Sequence, residues 1–388
     1  MKVLFLTHSF PRAHGDAPGS FVLRLAEALR AEGADVHVVA PGALGLASEE
    51  SFDGVPVERF RYAPRRYETL AYTGTMAEEV RASLTAKIAL IGFLGSEFRT
   101  AVRAARRMEP DLVHAHWWFP GGLVGSWVNG LARVPLVTTL HGTDIRLARS
   151  VGVARALFRS VVSRSATVTV VSRWLAGEAR SLARGVDPVV APMPVADELF
   201  TPGGERSTDQ LLFVGRLNRQ KGIELLLRAL AIAQSAPLLD VVGAGPDEED
   251  LRRLTAELGL TDRVSWHGTQ SQPRLADFYR RAAALVVPSV DEGLGLVAVE
   301  GLLCEAPVIA FASGGLTDTV RHEVTGLLVP PGDVPALAAA IDDLLRRPDR
   351  GAALGRAGRL HALATFAPSS VARRYMEIYQ SALASRAA

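Results

Sequence analysis

The chain alternates short, unbroken apolar runs with longer stretches of helical periodicity. In the first half the runs are KVLFLT (2–7), DVHVVA (35–40), DLVHAH (111–116), PLVTTLH (135–141) and VTVVS (168–172). After residue 205 the rhythm restarts with QLLFVG, LLDVVGAG, RVSWHG, ALVVPS and APVIAFAS. Runs without polar alternation suit parallel strands covered on both faces by helices. Strand–helix alternation that runs its course twice predicts an α/β protein of two doubly wound, Rossmann-like domains. Residues 186–206, VDPVVAPMPVADELFTPGGER, carry four prolines and a Gly-Gly pair. They mark the break. The expected organisation is an N-terminal domain over 1–190, a linker over 191–206, a second domain over 207–367 and a terminal helix over 368–388.

The span 61–107 departs from this rhythm. It ends in a long helical stretch that places Arg99, Arg103, Arg106 and Arg107 largely on one face. Two readings stand: a solvated helix face, or contact with an anionic membrane or acceptor.

Composition narrows the class. The 388 residues are 48 % hydrophobic and 22 % charged, which describes a globular protein rather than a disordered one. The net charge of +2 gives no reason to expect nucleic acid. One cysteine, Cys304, excludes an internal disulfide and fits a cytoplasmic protein. The opening MKVLFLTHSF reads as a buried first strand, since its apolar run is short for a secretion signal. The run IALIGFLG (88–95) is too short to span a bilayer. Cations are lopsided: Lys2, Lys87 and Lys221 are the only lysines among 43 Lys and Arg residues. A lysine inside a motif is therefore informative.

Several strand-to-helix loops carry chemistry. The first, HSFPRAHGDAPGS (8–20), precedes a helix N-terminus, where free N–H groups and the helix dipole favour an anion. Gly19 lets backbone approach a phosphate closely. No GxGxxG follows, so the dehydrogenase fingerprint is missing. HGTD (141–144) places His141 and Asp144 at a carboxyl edge, where open sheets bind ligands. HAHWWFPGG (114–122) offers His116, Trp117 and Trp118. The tryptophans are read either as acceptor contacts or as packing. FVGRLNRQKG (213–222) sets Arg216 and Lys221 around a helix start, a cation pair suited to a diphosphate.

The stretch DEGLGLVAVE (291–300) is the most telling. Glu292 falls in a glycine-rich loop and Glu300 about a turn into the next helix. Each carboxylate can accept paired hydrogen bonds from the vicinal hydroxyls of one sugar. The amides of Gly293, Leu294 and Gly295 lie between. Two carboxylates could instead hydrolyse a glycoside, but that chemistry needs no diphosphate cradle.

Taken in order, these stretches resemble the retaining nucleotide-sugar glycosyltransferases of family 4, which have the GT-B fold of two Rossmann-like domains facing across a cleft. The pieces that carry the resemblance run from Lys2 to about Phe366: Glu-x7-Glu at Glu292 and Glu300, GRLNRQKG, VGAGPDEEDLRRL, HAHWWFPGG and HGTD. The resemblance implies that Arg216 and Lys221 bind the donor diphosphate and that Glu300 holds the ribose. It implies that Glu292, the amides of 293–295 and Leu296 meet the donor sugar, and that His141 does so from the first domain. Gly19 would lie near the diphosphate. His116, Trp117, Trp118 and Asp144 fall on the acceptor side. The chain departs from the family at Pro18-Gly19, where a Gly-Gly pair is usual, at Thr317-Asp318 in GGLTD and at Leu294, where phenylalanine is frequent.

The implied reaction moves a hexose from a UDP-sugar, or next a GDP-sugar, to a glycan, a glycolipid or a small molecule. It retains the anomeric configuration and uses no metal and no cofactor. The terminal helix, with Tyr375 and Tyr379 as packing residues, would cross back to the first domain. The alternatives are a nicotinamide-dependent oxidoreductase, a phosphorylase or hydrolase of the same fold, and a non-catalytic nucleotide-sugar binder. The expected location is cytoplasmic, including the inner face of the membrane.

Overall fold

All ten apolar runs form strands in the computed structural model, which describes residues 1–16, 18–72 and 76–387, the last three by backbone only. Part of the loop 8–20 (residue 17) and part of the span 61–107 (residues 73–75) lie outside the described residues. The chain divides into two units, Met1–Pro194 with Pro368–Ala388, and Val195–Ala367.

The first unit contains β1 (Lys2–Leu6), α1 (Ser20–Ala31), β2 (Asp35–Pro41), β3 (Glu49–Phe52), β4 (Val55–Phe60), α2 (Met76–Ala82), α3 (Leu84–Met108) and β5 (Leu112–His116). It continues with α4 (Leu123–Ala132), β6 (Leu136–Leu140), α5 (Thr143–Ser150), α6 (Gly152–Arg164), β7 (Thr167–Val170), α7 (Arg173–Leu182) and β8 (Val189–Val190). Its sheet runs β3-β4-β2-β1-β5-β6-β7-β8, parallel throughout except for β3 against β4. Strand β1 pairs on both sides, Val3 opposite Val36 and Leu112, which fixes it at the centre. Helices α3 and α4 pack on the face made by Leu4, Leu6, Val113, Ala115 and Leu136.

The second unit holds β9 (Gln210–Val214), α8 (Ile223–Ile232), β10 (Leu238–Val242), α9 (Glu248–Glu257), β11 (Val264–Trp266), α10 (Gln272–Arg281), β12 (Ala284–Val287) and α11 (Leu296–Leu303). β13 (Val308–Phe311), α12 (Leu316–Thr319), β14 (Leu327–Val329), α13 (Val334–Arg346) and α14 (Pro348–Phe366) complete it. Its sheet, β11-β10-β9-β12-β13-β14, is wholly parallel. The final helix α15 (Pro368–Ala387) belongs to the first unit and packs against α1.

In each unit the strand order reverses beside the first strand, at β1/β5 and at β9/β12. Loops diverge at such a switch point and leave a crevice at the carboxyl ends of the strands.

Two of the four arginines on the α3 face share a carboxylate within the fold. Glu58, buried in β4, receives both Arg103 (3.4 Å) and Arg107, and His37 Nε2 lies 3.2 Å away. A buried carboxylate needs such partners, and Arg103 and Arg107 supply them from side chains that stay 67 % and 49 % exposed. No helix among the described residues is long and apolar enough to cross a membrane.

Candidate active site

In the first unit, the loop after β1 turns into α1 at Gly19. Its φ of +75° is left-handed, and a Cβ there would stand 2.4 Å from Ser9 O. Only glycine fits, because the loop folds back on its own backbone. This packs the start of α1 against the backbone of Ser9 and Phe10, with Pro18 in place of a second glycine.

His141 follows β6, and its turn is set by Asp144. The Asp144 carboxylate accepts from the N–H groups of His141 (3.1 Å), Gly142 (2.9 Å), Ile145 (3.0 Å) and Trp118 (3.3 Å). Burial pushes its carboxyl up, and those four N–H groups hold it down. Asp144 is thus spent on holding the turn and presents no carboxylate to an acceptor. Trp118 is likewise internal. Its indole N–H donates to Asp144 O at 2.7 Å and its ring meets Phe158 edge-on. Being 1 % exposed, it offers no ring face to a sugar, so the packing reading applies. Trp117, also buried and at a φ of +64°, lies between His8 (4.3 Å) and His141 (4.4 Å), ring centroid to ring centroid. It walls the histidines rather than facing outward.

His116 does join His141, with Nδ1 and Nε2 3.2 Å apart. Burial, reinforced by His8, holds His116 down at about 3, and burial alone holds His8 at about 4. Burial and the His116 and His8 imidazoles push His141 well below the usual value. The cluster is therefore neutral at physiological pH. Its nitrogens donate or accept single hydrogen bonds rather than carry charge.

Beneath it lies a polar chain that sequence reasoning did not find. His114 Nδ1 meets Tyr379 Oη at 2.7 Å and His114 Nε2 meets Thr139 Oγ1 at 2.6 Å. Thr139 in turn bonds Thr169 at 2.5 Å. Tyr379 and Tyr375 are buried packing residues, and they also anchor α15 through this chain. The signal was the spacing in HAH, since residues two apart on a strand share a face. His8 carried no comparable signal.

In the second unit, Arg216 is exposed on the loop after β9 and Lys221 ends a single 3-10 turn capped by Asn218. Gly222 follows with a φ of +68°. A Cβ there would lie 2.0 Å from Pro288 O, so the Lys221 loop rests directly on the strand end that leads to Glu292. Lys221 Nζ and Glu292 Oε2 are 2.6 Å apart. Glu292 O accepts from Gly315 N at 2.7 Å, which ties this turn to the loop after β13. The N–H groups of Gly293, Leu294 and Gly295 precede the first hydrogen-bonded turn of α11, at the positive end of its dipole. Leu294 is buried and contributes backbone only, whereas Leu296 is half-exposed. Glu300 stands on α11, and Tyr279 Oη donates to its Oε2 at 2.7 Å. Tyr279, fully buried on α10, is a second residue that the sequence did not single out.

The second unit thus gathers two cations, two carboxylates and a helix N-terminus at one switch point. Among the described residues no group of three or more His, Cys, Asp or Glu is arranged to hold a metal ion.

The sequence and the fold match known proteins. Residues 197–361 fit the family described as glycosyl transferases group 1, and residues 17–195 a glycosyl transferase 4-like domain. The D-inositol 3-phosphate glycosyltransferase of Thermobispora bispora is 36 % identical over 332 residues, covering 76 % of this chain and 76 % of that protein. Its namesake from Kineococcus radiotolerans is 32 % identical and covers 99 % and 96 %. Among solved structures, sucrose-phosphate synthase from Thermosynechococcus elongatus has a TM-score of 0.80 at 27 % identity, over 99 % of both chains. Anabaena HepE, solved in complex with UDP-glucose, shares the fold with a TM-score of 0.73 at 21 % identity, over 98 % of this chain and 100 % of that one.

The chain is a glycosyltransferase of the GT-B class. It belongs to the group 1 glycosyltransferases, the family 4 type. The oxidoreductase alternative falls with this assignment.

Proposed function

We propose that the protein transfers a hexose from a nucleotide-diphosphate sugar with retention of anomeric configuration and without a metal. The observation that carries this reading is the grouping of Arg216, Lys221, Glu292 and Glu300 around the N-terminus of α11. Arg216 and Lys221 take the diphosphate and neutralise the charge that develops on it as it departs. Glu300 accepts from the ribose hydroxyls. Glu292 and the amides of 293–295 take the sugar hydroxyls, with Leu296 beside them. His141, neutral and turned by Asp144, donates to the transferred sugar. The acceptor oxygen attacks the anomeric carbon on the face from which the diphosphate leaves. Its proton passes to the departing phosphate oxygen. Anabaena HepE, which shares this fold, is solved in complex with UDP and with UDP-glucose, which supports trying uridine donors first and guanosine donors second.

The relatives named for D-inositol 3-phosphate support a small phosphorylated acceptor over a long glycan. The lone buried thiol, Cys304, suits a cytoplasmic setting. The test supplies UDP-glucose or GDP-mannose with D-inositol 3-phosphate in EDTA, and reads nucleotide release and the product's anomeric proton. An α-linked product from an α-linked donor is expected, and Glu300→Ala should abolish it. A β-linked product, or turnover that EDTA stops, would overturn the reading.

A further inference from the structure

Helices α3, α4 and α6 line one side of the first unit, with α4 touching both neighbours and α5 joining α6. Each exposes an apolar pair or triplet at helical spacing. On α3 these are Leu84, Ile88 and Ile91, at 72, 62 and 73 % exposure. On α4 they are Trp127 and Leu131, and on α6 Val153 and Leu157. Seven of the fourteen large apolar side chains exposed among the described residues thus sit on three helices. The Phe98–Trp127 edge contact joins α3 to α4, and Arg81 Nη2 bonds Ser150 Oγ at 2.9 Å, bringing the start of α3 beside the start of α6.

Charge on the same helices is one-sided. The only carboxylates within α3, α4, α5 and α6 are Glu97 and Asp144, and both are buried. The exposed cations number ten: five on α3, two on α5 and three on α6. Three of these, Arg103, Arg107 and Arg149, lean on carboxylates from other elements, Glu58 and Glu178. Exposed acids flank these helices, as Glu78 on α2 and Glu109 directly after α3. The whole chain carries 41 acids against 43 cations, so this concentration is not a reflection of overall composition.

We propose that the α3–α4–α6 face docks onto an anionic phospholipid surface. An apolar stripe flanked by Lys and Arg buries its side chains at the acyl boundary and sets its cations among lipid phosphates. A second copy of this chain is a poor occupant, because a twofold contact would set the cations of one face against those of the other. A soluble acidic polymer would satisfy the cations and leave Leu84, Ile88 and Ile91 in water. The inference is independent of the donor assignment, since none of these residues belongs to the candidate site.

The test is flotation of the full chain with phosphatidylcholine vesicles, and with vesicles containing phosphatidylglycerol, at low and high salt. Binding to the anionic vesicles alone is expected, weakened by salt. Ile88→Glu with Ile91→Glu should lower partitioning more than about tenfold, and Lys87→Gln about fivefold. Each variant should keep the thermal midpoint and the UDP-induced shift of the parent. Absence of binding at low salt, equal binding by the double variant, or a self-associated parent that Ile88→Glu converts to monomer would overturn the proposal. So would binding to heparin without binding to vesicles.

Discussion

The Tyr279–Glu300 pair gives the sharpest local prediction. Tyr279→Phe keeps the buried ring, which meets Phe200 edge-on at 5.7 Å, and deletes only the hydroxyl that donates to Glu300 Oε2. A hydrogen bond to a charged group contributes about 1.5–3 kcal/mol, and Glu300 is half-exposed, so water recovers part of the loss. The lower end applies: about 1.5 kcal/mol, or slightly more than a tenfold loss of donor affinity. On the proposed assignment of Glu300 to the ribose, the effect should fall on KM for the donor and not on kcat. Steady-state kinetics with UDP-glucose measures the split. Titration with UDP and its 2′,3′-dideoxy analogue adds a second readout, in which the variant should discriminate less between the two. An unchanged KM, or a loss confined to kcat, would refute the idea that Tyr279 orients the ribose-binding carboxylate.

Other consequences follow from the same geometry. Glu292→Gln frees Lys221 from its carboxylate, so UDP should bind more tightly while turnover of UDP-glucose falls; calorimetry and kinetics on the same preparation check both. His8 and His116, held at about 4 and about 3 against an ordinary 6.5, stay neutral in the folded chain while the unfolded chain takes up protons. Their stabilisation is present above pH 6.5 and is lost as pH falls toward about 4, so the thermal midpoint should drop over that window. His116→Asn should flatten the slope. Glu97 runs the other way. Burial pushes its carboxyl from 4.5 up to about 8, and both oxygens lack partners. Its stabilisation is present below pH 4.5 and is lost as pH rises through about 8. Glu97→Gln should therefore melt above the parent at pH 9 but not at pH 5.

The fold was legible because parallel strands covered on both faces leave unbroken apolar runs, as KVLFLT and ALVVPS do. The antiparallel β3–β4 hairpin was passed over although Asp53-Gly54, both at positive φ, form a two-residue hairpin turn between EESF and VPVERF; those strands alternate polar and apolar positions and so lack the unbroken apolar run of the others. In the second unit, GRLNRQKG and DEGLGLVAVE were readable since their chemistry is local: charge and glycine at one strand end. Structure changed the first unit more. Asp144 and Trp118 look like ligand groups in sequence, yet each is consumed by backbone or core. His8 and Tyr279 act through residues far away in the chain, His8 to Trp117 and Tyr279 to Glu300, and no local pattern encodes such pairings. The contacts of Arg103 and Arg107 with Glu58 were hidden for the same reason, since Glu58 lies 45 residues before Arg103.

The measurement that bears most directly on the central claim is calorimetric titration of UDP and GDP in EDTA against the parent, Lys221→Ala and Glu300→Ala. The account predicts that one nucleoside diphosphate binds the parent without metal and that each substitution removes most of that binding while the chain stays folded. Failure of every nucleoside diphosphate to bind, or binding that survives both substitutions, would contradict it.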